Sequence, residues 1–156
     1  MRCAALVLAS GLTLAALPAA AQQKMVWHEQ GTEYGSALIF GVPETDEAMI
    51  FFSCDKGKDA MEVRPLLSTK GLKGGDAART ILTAGAVKKI FTGKAALNEE
   101  NGQITVIANG KIDDLKALMK GGKTMSVEVK GSKANVSLQG IAQPAASFAA
   151  ACTGAR

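Results

Sequence analysis

The stretch ALIFGVPETDEAMIFFSC, Ala37 to Cys54, decides the fold of this chain because it places two apolar segments around a turn. The residues from Pro43 to Asp46 carry turn chemistry, since proline fixes φ and aspartate accepts hydrogen bonds from nearby backbone N–H groups. Ala48 to Cys54 is almost wholly apolar, which predicts a β-strand covered on both faces. With a period of two, Ile50 and Phe52 share one face with the final cysteine. The stretch therefore predicts a hairpin whose second strand ends on a cysteine.

The N-terminus has the order of a secretory signal peptide. Arg2 gives a positive start, Ala4 to Leu17 is an apolar run, and the small residues Pro18 to Ala21 precede polar sequence. This run is shorter than the roughly 20 apolar residues that span a bilayer, and Cys3 precedes it, whereas a lipoprotein cysteine would follow it. We expect cleavage after residue 21, no membrane span in the product, and a periplasmic or secreted protein. The alternative is a retained N-terminal anchor.

Residues 22–156 are predicted to form a single domain. Removal of the 21-residue leader from 156 residues leaves 135, a usual size for one domain with a core. The loss of Arg2 lowers the formal net charge from +4 to +3. The basic residues form no block of like charges, and aromatic residues make up only 4% of the chain. These features argue against a nucleic-acid partner and against a polybasic membrane patch.

Two cysteines, Cys54 and Cys152, remain after the leader is removed, and an even pair in an exported protein is typical of a disulfide. Cys152 lies on the same helical face as Ile141 and Phe148, so it should point toward the sheet that carries its partner. The alternative is a reactive thiol pair, but the C-x-x-C spacing of such pairs is absent. The sequence therefore predicts a disulfide between β-strand and C-terminal helix.

Alternating apolar residues predict further strands along the chain. These are Met25–His28, Met61–Arg64, Ala78–Thr83, Ala86–Thr92, Gln103–Ala108, Thr124–Lys130 and Ala134–Leu138. Helical spacing predicts a short helix over Lys111–Lys120, with Gly121 as its left-handed cap, and a second helix from near Ile141. The predicted fold is mainly β: an antiparallel β-sandwich or open barrel of eight or nine strands, with one short helix and a C-terminal helix held by the disulfide.

Candidate catalytic and metal-binding residues are sparse. His28 is the only histidine, so a histidine-based metal site lacks a second imidazole. The paired carboxylates Asp113-Asp114 and Glu99-Glu100 are explained as helix-dipole and turn residues. The sequence therefore predicts no catalytic residue, no metal ion and no cofactor.

Two turns are the places where a binding surface is expected. The first consists of Pro43, Glu44, Thr45 and Asp46, and the second is the glycine-rich loop from Gly71 to Gly75.

Several segments of the chain together carry a resemblance to known proteins. The segments are Trp27, Tyr34-Gly35, Pro43 to Asp46, FFSC at Phe51 to Cys54, and SLQGIAQPAASFAAAC at Ser137 to Cys152. Together they resemble small exported proteins of proteobacteria that have no assigned activity. The last segment is similar to the C-terminal ends of invasion-associated locus B proteins and of type VI secretion accessory proteins. The resemblance implies an exported protein and supplies no catalytic residue.

The sequence predicts an exported, non-enzymatic periplasmic or envelope-associated protein, either a binding or a structural module. Its expected partner is a periplasmic or envelope protein or a small ligand. Two alternatives stay open. One is a periplasmic enzyme inhibitor of the lysozyme-inhibitor kind, although a net charge of +3 does not steer a protein toward basic lysozymes. The other is a small hydrolase that uses His28.

Overall fold

The computed structural model describes residues 24–69, 71–99 and 102–154, and the predicted signal peptide, residues 1–21, lies outside the described residues. The described ranges contain nine strands and two helices. The strands are β1 (Val26–Gly31), β2 (Gly35–Gly41), β3 (Ala48–Asp55), β4 (Ala60–Pro65), β5 (Ala77–Ala84), β6 (Val87–Leu97), β7 (Ile104–Lys111), β8 (Thr124–Val129) and β9 (Ser132–Ser137). The helices are α1 (Ile112–Met119) and α2 (Ala142–Thr153).

All nine strands belong to one antiparallel sheet with the order β1-β2-β3-β4-β7-β6-β5-β8-β9. The sheet curls into a half-barrel, so the predicted mainly β fold is confirmed in its open-barrel form. The predicted short helix is α1, and the predicted C-terminal helix is α2. Within the described residues, no helix is both long and apolar enough to cross a membrane.

The opening hairpin pairs β2 with β3, and its apolar side chains face the inside of the half-barrel. Leu38 lies opposite Phe52 and Phe40 lies opposite Ile50, and all four side chains are buried. On the other face of β3, Phe51 is only half-buried. The strand is therefore fully covered on its inner face and only partly covered on its outer face.

Both helices lie on the inner face of the sheet and complete the core. α2 packs against β1 and β2, and α1 packs against β5, β6 and β7. Phe148 of α2 is fully buried in the same cluster as Ile50 and Phe52. Burial of a large apolar side chain contributes about 1.5–3 kcal/mol, so this contact between helix and hairpin is a main source of stability.

Helix α1 begins directly after β7 and is held at both ends by specific contacts. The N–H of Lys111 donates to Oδ2 of Asp114 at 3.1 Å, and Oδ1 of the same carboxylate lies 2.8 Å from Nζ of Lys89. Gly121, which follows the helix, is not left-handed as predicted. A Cβ there would lie 2.1 Å from the carbonyl oxygen of Ala84, so the glycine is needed for close backbone approach.

The two edge strands of the sheet approach each other through Trp27. Its indole Nε1 on β1 donates to the carbonyl oxygen of Ser137, the last residue of β9, at 2.6 Å. The Trp27 ring is buried and packs on Phe40 and Phe52, with ring centroids 5.1 Å and 6.2 Å away. Trp27 therefore fills the core and joins the two edges of the half-barrel.

The predicted disulfide is confirmed. Cys54, near the end of β3, is bonded to Cys152 of α2, and their Cα atoms are 5.7 Å apart. Beside the disulfide, the carbonyl oxygen of Cys152 accepts hydrogen bonds from the backbone N–H groups of Gly57 and Lys58, the latter at 3.0 Å. These bonds satisfy a carbonyl at the end of α2, which otherwise has no partner within the helix.

Candidate functional site

A row of five polar side chains crosses the outer face of the curved sheet. Each member lies directly opposite the next on the neighbouring strand, in the order Ser53, Glu62, Asn109, Thr92 and Arg79. Ser53 is half-buried and the other four are exposed. At about 4.8 Å per strand, the row spans roughly 19 Å across β3, β4, β7, β6 and β5.

Polarity alone does not mark a site, because antiparallel sheets commonly expose polar residues on one face. Three cavities follow this row, and neighbouring cavities share its members. The first cavity, of about 370 Å³, and the second, of about 520 Å³, are both lined by Glu62 and Asn109. Thr92 lines both the second cavity and the third, which has a volume of about 540 Å³ and is also lined by Arg79. We call the row and its cavities the outer trough. It offers hydrogen-bond donors and acceptors along one continuous path.

The first cavity forms where two neighbouring strands separate. The paired register of β3 and β4 ends at Ser53 and Glu62, although β3 continues to Asp55. The cavity in the space beyond has ten lining residues, among them Ser53, Glu62, Asn109, Asp55, Lys58 and Tyr34. Tyr34 is 71% exposed, more than the other exposed large hydrophobic residues described. We call this cavity the Tyr34 cleft.

Backbone contacts fix the rim of the Tyr34 cleft. The N–H of Lys56 donates to the carbonyl oxygen of Tyr34 at 2.7 Å, which ties the β3–β4 turn to the β1–β2 turn. Within the latter turn, the N–H of Gly35 donates to Oγ1 of Thr32 at 3.0 Å. A Cβ at position 35 would lie 2.0 Å from the carbonyl oxygen of Cys54, so only glycine allows this approach of β2 to β3.

The charged groups of the Tyr34 cleft are balanced by ion pairs. Nζ of Lys58 lies 2.8 Å from Oδ2 of Asp55, and NH2 of Arg64 lies 3.4 Å from Oε2 of Glu62. The hydrogen bond to Asp55, followed by the charge of that carboxylate, raises the pKa of Lys58. Each carboxylate at the cleft therefore already has a cationic neighbour.

The turn predicted as a binding surface lies at the opposite end of the sheet from the Tyr34 cleft, between β2 and β3. Pro43, Glu44, Thr45 and Asp46 are all exposed there, and Glu44 has a positive φ of 62°. Oγ1 of Thr45 donates to the carbonyl oxygen of Val42 at 2.9 Å. These residues do not line the cavities of the outer trough, so the two candidate surfaces are separate.

The glycine-rich loop, the second predicted surface, connects β4 to β5. Gly71 lines a cavity of about 520 Å³ together with Leu66, Leu72 and Ile104. Oγ1 of Thr69 donates to the carbonyl oxygen of Ile104 at 2.7 Å and holds the loop against β7. This cavity lies between the loop and the start of β7, and its lining mixes leucine side chains with polar ones such as Ser68 and Thr105.

His28 lies on β1, opposite Ile39, on the outer face of the sheet. Its ring Nδ1 is 3.3 Å from the carbonyl oxygen of Val26, two residues away in the chain. Among the residues that the structure describes, no group of three or more histidine, cysteine or acidic side chains is arranged to hold a metal ion.

A further cavity of about 430 Å³ lies between the β1–β2 turn and the C-terminal half of α2. Glu29 lines it, and this carboxylate accepts a hydrogen bond from the fully buried Ser36 hydroxyl beneath it. The buried hydroxyl is therefore satisfied within the protein.

The outer trough was not found from the sequence because its members come from five strands separated by up to 56 positions, Ser53 to Asn109. The alternation of apolar and polar residues along β4 correctly predicts that Glu62 faces outward. The alignment of the row depends on β7 lying between β4 and β6, and strand pairing of this kind is not encoded in local periodicity.

No known protein family matches this sequence, and no curated protein or solved structure matches it at a significant level.

Proposed function

We propose that this protein is an exported binding module of the bacterial envelope, without enzymatic activity, and that the outer trough is its binding surface. The observation that carries the proposal is the row of five directly opposed polar side chains, together with three cavities that share its members. A path of about 19 Å with a hydrogen-bond donor or acceptor at each strand suits an extended polar ligand.

The disulfide supports the export part of the proposal. Structural disulfides persist in oxidising compartments and are rare in the cytosol of mesophilic bacteria. The leader-like residues 1–21 and the resemblance to small exported proteobacterial proteins favour the same location.

Mass spectrometry of the protein recovered from periplasm tests the export. The expected mass corresponds to a chain that begins at Gln22 and carries a Cys54–Cys152 disulfide. A mass that retains residues 1–21, with both thiols free, would contradict export.

Retention of envelope material on immobilised protein tests the binding surface. The trough variant replaces Asn109 and Thr92, a directly opposed pair, by alanine. The control variant replaces Ser126 and Asn135 by alanine, because they form a chemically matched opposed pair on the same face outside the trough.

Bound protein and bound carbohydrate are measured separately for each immobilised form. We expect the wild type and the control variant to retain the same material, and the trough variant to retain about tenfold less. Equal retention by the trough variant would show that the outer trough is not the binding surface.

A further inference from the structure

Four kinds of group converge on the Tyr34 cleft. It combines an exposed aromatic ring, the carboxylate of Glu62, the amide of Asn109 and the hydroxyl of Ser53 in one cavity of about 370 Å³. Sites for small ligands have volumes of about 300–1,000 Å³ and use a few placed polar groups beside aromatic side chains. The volume and the mixture of groups are those of a small-molecule site.

The charges of the cleft argue for a neutral ligand. Lys58 neutralises the carboxylate of Asp55, and Arg64 neutralises that of Glu62. Among its lining residues, the cleft therefore has no unpaired carboxylate that would favour a cationic ligand. The same two pairs leave no unpaired cationic side chain among these groups for a phosphate or another anion. An uncharged ligand rich in hydroxyl groups needs no charged partner in the cleft.

The geometry of the polar groups fits a ring with hydroxyls on its edge. Ser53, Glu62 and Asn109 lie in line on three adjacent strands, about 10 Å from first to last. An amide both donates and accepts, a carboxylate accepts, and a hydroxyl does either, which matches the dual character of sugar hydroxyls. The flat face of an exposed tyrosine offers an apolar surface for the C–H face of a sugar ring.

We propose that the Tyr34 cleft binds a neutral saccharide, with Tyr34 stacked on one sugar ring and with Glu62 and Asn109 hydrogen-bonded to its hydroxyls. The inference rests on the proposed binding role of the outer trough. The cleft is the end site, and further sugars of an oligosaccharide extend along the row toward Thr92 and Arg79.

Backbone contacts fix the turns that carry the cleft. The carbonyl oxygen of Tyr34 accepts from the N–H of Lys56, and the β3–β4 turn is bonded to the carbonyl oxygen of Cys152 at the disulfide. Because the backbone of the cleft is already ordered, binding has to order side chains only, which limits the loss of conformational entropy.

The test uses the mature, disulfide-bonded protein and neutral trisaccharides of glucose, of N-acetylglucosamine and of galactose. Binding is followed by calorimetry and by NMR shifts of residues that line the cleft, at concentrations up to about 10 mM, since a small open site is expected to bind in the millimolar range. At least one of the three should shift the resonances of Asn109 and Tyr34.

Three variants locate the site. Tyr34→Ala should weaken the affinity about tenfold, whereas Tyr34→Phe, which keeps the ring, should bind within about threefold of wild type. Ile90→Ala is the matched control, because Ile90 is 52% exposed on the outer face outside the cleft. Its affinity should equal that of the wild type.

Each result bears on the proposal. Equal affinity of Tyr34→Ala and wild type would overturn the assignment of the site. If no trisaccharide binds but the wild type still retains envelope material that the trough variant loses, the saccharide inference is wrong and the proposed function stands. If no trisaccharide binds and no form retains envelope material, both are wrong.

Discussion

Replacing Cys54 and Cys152 together by alanine should lower the free energy of unfolding by about 2–5 kcal/mol. The disulfide closes a loop with a sequence separation of 98 residues. In the chain-entropy treatment, a crosslink over about 100 residues restrains the unfolded chain by about 4.7 kcal/mol, and native disulfides in small exported domains fall in the quoted range. For a domain of this size, 1 kcal/mol corresponds to about 4 °C, so Tm should fall by roughly 8–20 °C.

A denaturant titration of oxidised wild type and the double variant measures this loss. Trp27, the only tryptophan, is buried and packs on Phe40 and Phe52, so its fluorescence reports on unfolding. Because the crosslink acts mainly on the unfolded chain, its removal should also raise the m-value, as the unfolded state expands. Equal midpoints for the two proteins would refute the reasoning. A lower midpoint with an unchanged m-value would refute the unfolded-state mechanism and point to lost native contacts.

Three further substitutions probe the core, the sheet and its closure. Phe148→Ala should lower the free energy of unfolding by about 3–5 kcal/mol in the same titration. The control Ser147→Ala, at an exposed residue of the same helix, should change it by less than about 0.5 kcal/mol. Similar values for the two variants would mean that α2 does not form the core contact. Gly93→Ala places a Cβ 1.9 Å from a carbonyl oxygen of β7, so it should lower the free energy of unfolding by more than about 3 kcal/mol or prevent folding. In the control Gly31→Ala the added Cβ has no atom within 4 Å, so this variant should fold normally. Trp27→Phe removes the hydrogen bond between the sheet edges and should lower the free energy of unfolding by about 1–2 kcal/mol, measured by circular dichroism. Unchanged stability would show that this hydrogen bond does not hold the half-barrel closed.

Much of the fold follows from local pattern. The alternation of Met125, Val127 and Val129 correctly gives the buried face of β8, and the phase of Phe148 and Cys152 correctly gives the direction of the disulfide. These predictions succeed because burial of one face fixes both the period and the register of an element.

The parts that were missed depend on contacts between distant segments. Gly121 was predicted from the end of α1 alone, but its role comes from the approach of Ala84 on another strand. Likewise, Asn109 and Thr92 become neighbours only through the insertion of β7 between β4 and β6. Exposed polar residues carry no burial signal, so the outer trough leaves no trace in hydrophobic periodicity.

The last helix of the chain covers its first two strands, and this arrangement sets the order in which the fold can form. α2 packs against β1 and β2 and is bonded to β3, so the opening hairpin lacks its inner cover until residues 142–153 have been synthesised. Contacts across such long separations carry a loop-closure cost, because the intervening chain must be closed into a loop. If the protein is exported as proposed, the disulfide that fixes α2 to β3 forms only in the compartment where the cysteines can be oxidised, so the cover of the hairpin is locked in place there.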